Sequence, residues 1–424
     1  MATPKPNPTS RRHYLDQLRT YCTAHVIVHH TAGAYGYGGA EGPHSACFDK
    51  SSPLLTAFLA VNLAFGLGQF FWLSGFLSAE SLSRSTDSKF VKSKLLRLGV
   101  PTLLYSAFLD PLFAVFRLRQ WDFDSIKKAY IEAFLKFRGA CGSAWYTATL
   151  LVLDLCAVLF KRCLYIWGLG KLKSSKLRSL TQLYVMLCRW GWLVVAGGSF
   201  LIRTRWPPGK KLPIIDVQQA YLLQYIYAYG LGHLAFHARK PRMVGLLERD
   251  VPDYTPLKPS PRLSLGKAVA FSLGTLPILL LPGFLKKEKT GPPAGSEMGS
   301  NLAGWTTAAA FYALWNELCF NSIGPAQVNY FERNQNQPAK RKLWSPRYSY
   351  GAFLLHPPVS WAIGEGVDAL LCAEGKQPAW MKSRVWKDLG PILMTGVVGT
   401  ADLVASFATS MLLVDYVPGV GKLI

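Results

Sequence analysis

Several common signatures are missing from this sequence, and each absence narrows the classes of function. The eight cysteines include no Cys-x-x-Cys pair, so neither a zinc site nor a disulfide framework is indicated. A pairing of Cys47 with Cys141 stays open if both loops face an oxidising lumen. The N-terminal residues are polar and Pro-rich, without the apolar core and cleavage site of a signal peptide. No internal repeat is visible, so a transporter built from inverted halves is not inferred.

Long apolar runs dominate what is present, because 50% of the residues are hydrophobic. Several of these runs approach the roughly 20 residues that a helix needs to cross a bilayer. The predicted spans are 14–34, 55–82, 98–117, 145–166, 183–203, 214–237, 265–285, 301–321, 348–370 and 390–416. The sequence therefore predicts an all-α fold, a polytopic membrane helical bundle of about ten transmembrane helices. The bundle covers 14–416, between a disordered cytosolic tail at 1–13 and a C-terminal tail at 417–424.

The net charge of +23 would also suit a nucleic-acid binder. The basic residues, however, lie in short clusters between apolar runs, which is typical of membrane insertion and of contact with anionic headgroups. We therefore expect the lipid bilayer as a partner and no nucleic acid. Lys and Arg are more numerous in the loops that become cytosolic if the N-terminus is inside, which predicts two cytoplasmic termini. In a eukaryotic cell we expect the endoplasmic reticulum or the plasma membrane.

The stretch 14–34, YLDQLRTYCTAHVIVHHTAGA, concentrates ionisable residues in an apolar helix. Arg19 and His30 fall within roughly 20° of one helical face and roughly 16 Å apart along the axis. His29 falls to the side of that face, and Asp16 lies close enough to Arg19 to brace it. Ionisable groups on membrane helices face a bundle interior or a wet cavity, which predicts a functional site here. Interfacial residues and histidines bonded to neighbouring helices are the plainer alternative.

A basic run follows the second predicted span. That span ends in FFWLSGF, and the basic run KFVKSKLLRLGVP (89–101) comes shortly afterwards. Its cations include Lys92, Lys94 and Arg97. One interpretation is a topology signal, because cations flank membrane spans on the cytosolic side. The other is a dock for phosphates, to which Lys and Arg are well suited.

Four segments occur in a telling order: LDQLR…HH (15–30), FFWLSGF (70–76), KLLRLGVP (94–101) and SYGAFLLHPP (349–358). Together they resemble the acyltransferase 3 family of integral-membrane acyltransferases. The first helix of that family carries an arginine within an LDGLR-type start and, after ten residues, a histidine. Arg19 and His30 fit this spacing, with Gln17 in place of the usual glycine. The resemblance spans about residues 13–416.

One further segment, and the last of these four, depart from the family pattern at single positions. The segment SAWYTATL is similar to the family's Trp-aromatic-Leu segment and contains Trp145, but Ser143 stands where a histidine is frequent. The late segment retains Tyr350 and places His356 in a Leu-Leu-His motif, with Phe353 where tyrosine is common. The resemblance therefore adds Trp145, Tyr350 and His356 as accessory candidates.

The resemblance implies acyl transfer, commonly of an acetyl group from acetyl-CoA, onto a hydroxyl of a sugar, glycan or other metabolite. A hydroxyl is a poor nucleophile, and a histidine such as His30 can take its proton as it attacks a thioester. An acyl-histidine intermediate is the competing mechanism. The co-substrate expected is acyl-CoA, with a hydroxyl-bearing acceptor and no metal.

The same implication assigns roles to five more residues. The oxyanion that develops on the thioester requires fixed donors, which Arg19 or the hydroxyl of Ser74 would supply. The phosphates of CoA would stay cytosolic against Lys92, Lys94 and Arg97, while the pantetheine arm enters the bundle.

A partner must also orient the imidazole of His30. Asp16 is unsuitable, because it lies roughly 21 Å away along the same helix. His356, Glu317 and Asp110, from other predicted spans, are the candidates that remain open.

A different class of enzyme also fits part of the histidine pattern. The groups His25-x3-His29-His30 and His233-x3-His237 resemble the histidine boxes of membrane di-iron desaturases and hydroxylases, since i,i+4 spacing places imidazoles on one face. Such enzymes need a larger set of clustered ligands than these two groups offer. A non-enzymatic transporter is favoured by nothing beyond the apolar spans.

Overall fold

The fold is seen in a computed structural model. It describes residues 12–36, 45, 52–112, 115, 122–136, 139–166, 174–238, 263–280, 302–372, 381 and 383–424. Within these ranges the regular structure is helical, apart from an isolated antiparallel bridge between Lys211 and Gln218. The predicted all-α class is confirmed.

Thirteen labelled helices order the part of the chain that the structure describes. They are α1 (His13–Gly36), α2 (Pro53–Arg84), α3 (Asp87–Lys94), α4 (Phe123–Lys136), α5 (Ala144–Ile166), α6 (Ser174–Met186), α7 (Trp192–Arg203), α8 (Gln219–Ala238), α9 (Leu265–Thr275), α10 (Thr307–Asn334), α11 (Pro346–Leu371), α12 (Arg384–Tyr416) and α13 (Val420–Leu423). The connecting turns are π turns at Leu95–Gly99, Tyr105–Leu109 and Leu187–Gly191 and 3₁₀ turns at Leu276–Leu280 and Lys342–Trp344. Helix α3 continues through the π turn at Leu95–Gly99, a short α-helical piece at Val100–Leu104 and the π turn at Tyr105–Leu109. The third π turn joins α6 to α7.

Helical segments overlap all ten predicted spans. Four described segments are long and apolar enough to cross a membrane by length and composition: Pro53–Arg84, Ala144–Cys163, Leu180–Arg203 and Leu389–Tyr416. The number of ten crossings therefore stays a prediction. The largest difference is α10, which continues to Asn334 although its predicted span ends at 321. Val328 and Phe331 remain buried there, while polar residues between them lower the hydropathy.

Capping hydroxyls help to determine where the long helices begin. The side chains of Ser52, Thr306 and Ser383 each accept a hydrogen bond from the backbone N–H three residues later. Such caps satisfy one of the amides that a first helical turn leaves unpaired. The short polar residue before each apolar run is therefore the local signal for α2, α10 and α12.

Helix α1, which carries Arg19 and His30, lies inside the bundle, in contact with α2, α10, α11 and α12. On its other side α2 crosses α8 closely. A Cβ added to Gly75 would meet the carbonyl of Tyr229, and one added to Gly232 would meet the carbonyl of Trp72. Small residues allow membrane helices to approach this closely. The glycine of the LSGF motif thus has a packing role.

The cysteines differ from one sequence expectation. Cys141 is not disulfide-bonded, so the expected pairing of Cys141 with Cys47 is wrong. Cys372, which follows the last residue of α11, forms a disulfide bond. Cys47 lies outside the described residues.

Candidate active site

The first part of the candidate site is an ion pair near the start of α1. Nη2 of Arg19 lies 3.2 Å from Oδ1 of Asp16 and also donates to the carbonyl of Pro346 at 3.3 Å. The predicted brace between the two α1 residues is therefore present. The second contact ties the guanidinium to the first turn of α11. Arg19 thus joins the beginnings of two helices that meet again at the histidines.

Hydroxyl groups continue this joint between α1 and α11. The Oγ1 of Thr20 lies 3.1 Å from Oγ of Ser349, and the hydroxyl of Thr23 donates to the Ser349 carbonyl at 3.4 Å. All three residues are buried. These contacts fix how far α1 is shifted along α11, and so determine which later residues of the two helices meet.

The two helices bring His30 and His356 together. Their ring centroids lie 5.1 Å apart, with the planes tilted by 36°. His30 is exposed and His356 is 2% exposed. Nδ1 of His356 lies 2.6 Å from the carbonyl oxygen of Phe353. Because a carbonyl only accepts, Nδ1 carries the proton in this contact, and a neutral His356 ring keeps its lone pair on Nε2.

The other two histidines of α1 have different surroundings. The ring of His29 meets His30 edge-on at 5.8 Å. The ring of His25 packs against Phe65 at 5.3 Å and covers the space above Gly66. Within the described part of the chain, Nε2 of His25 and Nδ1 of His29 have no hydrogen-bond partner. These placements give His25 a packing role and leave His30 as the α1 histidine beside α11.

An aromatic cluster of Phe70, Tyr146 and Phe353 lies next to the histidine pair. Phe70 stacks on Tyr146 at 4.7 Å, and Phe353 meets the two rings edge-on at 5.4 and 5.2 Å. Phe353 also lies 5.9 Å from His356. Edge-to-face and offset arrangements are favourable beyond the burial of area. The cluster unites FFWLSGF, SAWYTATL and the Leu-Leu-His segment at one place, although they are far apart in sequence.

Ser74 lies at the edge of this cluster, where its Oγ is 2.7 Å from the hydroxyl of Tyr146. Trp145 packs against Tyr225 at 5.8 Å. The hydroxyl of Tyr350 has no hydrogen-bond partner among the described residues. Ser143, the departure from the family pattern, donates to the carbonyl of Leu354 at 3.1 Å and so supports the backbone before His356.

Two buried carboxylates near the candidate residues were missed by the sequence reasoning. Asp402 on α12 is 0% exposed, and accepts hydrogen bonds from Thr31 at 3.2 Å and from Ser406 at 3.0 Å. It therefore holds the residue that follows His30. The available signal was a single carboxylate within an apolar run, which is costly in a membrane and so marks a structural or functional position.

The second carboxylate, Asp154 on α5, changes the interpretation of Lys94. Nζ of Lys94 lies 2.8 Å from Oδ2 of Asp154 and donates to Ser78 at 2.7 Å. The hydroxyls of Ser78 and Tyr229 donate to the other oxygen of Asp154 at 2.5 and 2.6 Å. Lys94 is thus part of a buried polar network that ties α3 to α2, α5 and α8.

The remaining cations of the basic run have different surroundings. Lys92 and Arg97 are exposed. The structure therefore does not bring Lys92, Lys94 and Arg97 together as one set of three available cations. This leaves Lys92 and Arg97 as the accessible members of the predicted dock.

One of the three candidate partners for His30 is held in other contacts. Glu317 is 1% exposed and accepts from Gln224 at 3.3 Å and from Asn316 at 3.1 Å. Asp110 is half-buried just after the Tyr105–Leu109 turn. His356 is the candidate whose ring the structure places against His30.

Comparison with known proteins identifies the family of this chain. The sequence model of the acyltransferase 3 family, described as an acyltransferase domain, matches residues 12–413. The chain belongs to the acyltransferase 3 family. No curated protein and no solved structure matches it significantly. Among the described residues, no three His, Cys, Asp or Glu side chains are grouped as metal ligands would be.

Membership of this family determines the class of the protein. It is an integral-membrane acyltransferase that transfers groups other than amino-acyl groups. Its reaction needs an acyl donor and a hydroxyl acceptor, and its apolar helices lie in a bilayer. The matched range includes α1, the aromatic cluster and the Leu-Leu-His segment.

Proposed function

We propose that the protein transfers an acetyl group from acetyl-CoA to a hydroxyl of a carbohydrate, glycan or small metabolite. The observation that carries this proposal is the meeting of His30 with His356 beside the aromatic cluster. Three separate motifs contribute to this place. An imidazole that titrates near neutral pH is suited to take a proton from a hydroxyl.

His30 acts as the general base. One of its ring nitrogens takes the proton of the acceptor hydroxyl, while the hydroxyl oxygen attacks the carbonyl carbon of the thioester. The tetrahedral intermediate collapses as the carbon–sulfur bond breaks. His30 then returns the proton to the sulfur of CoA, which leaves as the thiol. The bond formed is the ester, and the base is regenerated.

His356 positions His30 for this step. Its Nδ1–H is held by the Phe353 carbonyl, so the orientation of the ring is fixed by its own helix. Nε2 then offers an acceptor on a buried residue next to His30. Histidines in catalytic sites commonly depend on such an orienting contact. This arrangement favours His356 over Glu317, which binds Gln224 and Asn316.

Arg19 and Ser74 interact with the acyl donor in this proposal. Arg19 lies roughly 16 Å from His30 along α1, a distance that the long pantetheine arm of CoA spans. Its guanidinium also braces Asp16 and the start of α11. The Ser74 hydroxyl, held by Tyr146, is a fixed donor for the oxyanion that develops on the thioester. Lys92 and Arg97 face the phosphates at the cytosolic surface.

The proposed orientation places both termini in the cytoplasm. The loop charges favour it. The disulfide of Cys372 supports it, because the start of α11 then lies on the cytosolic side and its end on the oxidising side. The donor would therefore enter at the side where Arg19 lies.

Ligand-dependent thermal unfolding of the purified protein tests this function. Acetyl-CoA should raise the midpoint of unfolding in a concentration-dependent way, because a ligand that binds only the folded state stabilises it. NADH, which is also a phosphorylated adenine nucleotide, is the control and should have little effect. Equal shifts with both, or none with acetyl-CoA, would contradict the assignment of the donor.

A further inference from the structure

The last eight residues of the chain fold back onto the bundle. Gly419 adopts φ of +87°, a left-handed conformation that glycine favours, and α13 begins immediately after it. Ile424 packs with Val420 beside Tyr348 and Val414. The C-terminal turn (residues 417–424) also contacts the Leu95–Gly99 turn, which carries Arg97. The C-terminal turn is therefore packed against the bundle, at the end where α11 begins.

The C-terminal turn forms one wall of an open cleft of about 350 Å³. Two cations line this cleft, Arg347 from the first turn of α11 and Lys422 from α13. The facing wall is the end of α12, including Asp415. At Gly419 and Gly421 this wall carries no side chain, so that a ligand can approach the backbone closely there.

Positive charge remains in excess in this cleft. Asp415 is already bound by Nζ of Lys342 at 2.8 Å and by the hydroxyl of Tyr348 at 3.0 Å, while Nη1 of Arg347 lies 3.7 Å away. Lys342 has a raised pKa, because it is hydrogen-bonded to Asp415. Lys422 makes no ion pair with any residue that the structure describes. Three cationic side chains in or beside the cleft, Lys342, Arg347 and Lys422, thus outnumber its one side-chain carboxylate, Asp415.

The cleft lies next to the candidate entrance for the donor. Arg19 donates to the carbonyl of Pro346, and Arg347 is the next residue. Arg97 lies on the Leu95–Gly99 turn, which the C-terminal turn contacts. Lys94, by contrast, is occupied by Asp154. Arg347, Lys422 and Arg97 therefore lie on or beside the C-terminal turn at this end of the bundle.

We propose that the cleft between the C-terminal turn and the start of α11 binds the 3′-phosphate of the CoA donor, through Arg347 and Lys422. Arg presents a planar set of donors that matches phosphate, and Lys supplies a compact charge. The inference rests on the proposed function, since it assumes that the donor is a CoA thioester. The phosphate of an anionic lipid headgroup shares the same chemistry, and the test below separates the two sources.

The test measures the affinity of acetyl-CoA and of acetyl-dephospho-CoA, which lacks the 3′-phosphate, for protein in phosphatidylcholine nanodiscs. Wild type should prefer acetyl-CoA by about tenfold or more. Arg347→Gln with Lys422→Gln should lose that preference and keep its affinity for the dephospho donor. Lys422→Gln alone should lose part of the preference, and it avoids disturbing Asp415. Lys267→Gln with Arg333→Gln, which removes two exposed cations outside the cleft, should behave as wild type.

Several results would overturn the inference. If the double variant kept the wild-type preference, the 3′-phosphate would be bound elsewhere. If wild type bound both donors equally, that phosphate would not be recognised at all. If the double variant lost bound phosphatidic acid from mixed nanodiscs but kept its preference for acetyl-CoA, the cleft would be a lipid site. Failure of the proposed function looks different, because wild type would then bind neither donor.

Discussion

The rings of His30 and His356 lie 5.1 Å apart, although the residues come from the first and the penultimate long helix of the described chain. Their meeting depends on the Arg19–Pro346 and Thr20–Ser349 contacts, which fix α1 against α11. The pair therefore brings together the LDQLR…HH segment of α1 and the Leu-Leu-His segment of α11. The predictions below test each part of that geometry.

The first prediction separates His30 from its neighbour. His30→Ala should lower acyl transfer by about 10²–10⁴-fold, the range expected when a general base is removed. His29→Ala should be much milder, because His29 is not the ring placed against His356. Turnover of both purified variants, with thermal unfolding to verify folding, gives the comparison. An inactive His29→Ala beside an active His30→Ala would refute the assignment.

The second prediction concerns the positioning role of His356. His356→Gln should reduce kcat while the KM for acetyl-CoA changes little, because in the proposed mechanism the residue positions His30 and contacts no part of the donor. Steady-state kinetics with a saturating acceptor provide the two constants. Phe353→Leu keeps the backbone carbonyl that holds His356 and serves as a control for packing. If His356→Gln raised KM with kcat unchanged, His356 would belong to the donor site instead.

The third prediction concerns the guanidinium of Arg19. Arg19→Lys keeps the charge but loses the planar guanidinium, whose Nη2 donates to both Asp16 and the Pro346 carbonyl. We expect a large loss of activity, about tenfold or more. Acyl-transfer rates of the purified variant measure the effect. Wild-type turnover would show that only the charge matters at this position.

The fourth prediction concerns the buried Lys94–Asp154 pair. Lys94→Met should destabilise the protein by about 3–5 kcal/mol, because it leaves the carboxylate of Asp154 buried without its cation. Combining it with Asp154→Leu should recover much of that stability, since both charges are then absent. Thermal unfolding of the two single variants and the double variant measures the coupling.

The control for this pair is Lys92→Met, on the exposed side of the same run. It should leave the unfolding midpoint unchanged. Simple addition of the two single effects in the double variant would show that the ion pair contributes nothing. A loss of donor affinity in Lys94→Met without loss of stability would instead favour Lys94 as a phosphate ligand.

Features that depend on one helix could be predicted from the sequence. The Asp16–Arg19 pair follows from helical spacing alone, and the positions of the long helices follow from apolar runs and caps. Contacts between helices were harder to predict. His356 was one of three candidate partners for His30, because helical spacing says nothing about which helices are neighbours.

The basic run shows why a local pattern can mislead. Lys92, Lys94 and Arg97 look alike in sequence, yet Lys94 alone is turned towards a buried carboxylate. The information that distinguishes it is Asp154, which lies sixty residues later in an apolar run. The C-terminal turn was also assigned to a tail, because its sequence is too short to predict that it packs on Tyr348 and Val414.

The most direct test of the account is transfer of isotopically labelled acetyl from acetyl-CoA by the protein in nanodiscs. A mixture of hydroxyl-bearing carbohydrates and metabolites serves as acceptor, and mass spectrometry detects the labelled product while free thiol reports the release of CoA. Wild type should yield one labelled ester per thiol released, and correctly folded His30→Ala should yield neither above background. Equal yields from wild type and His30→Ala would contradict the central claim that His30 performs acyl transfer.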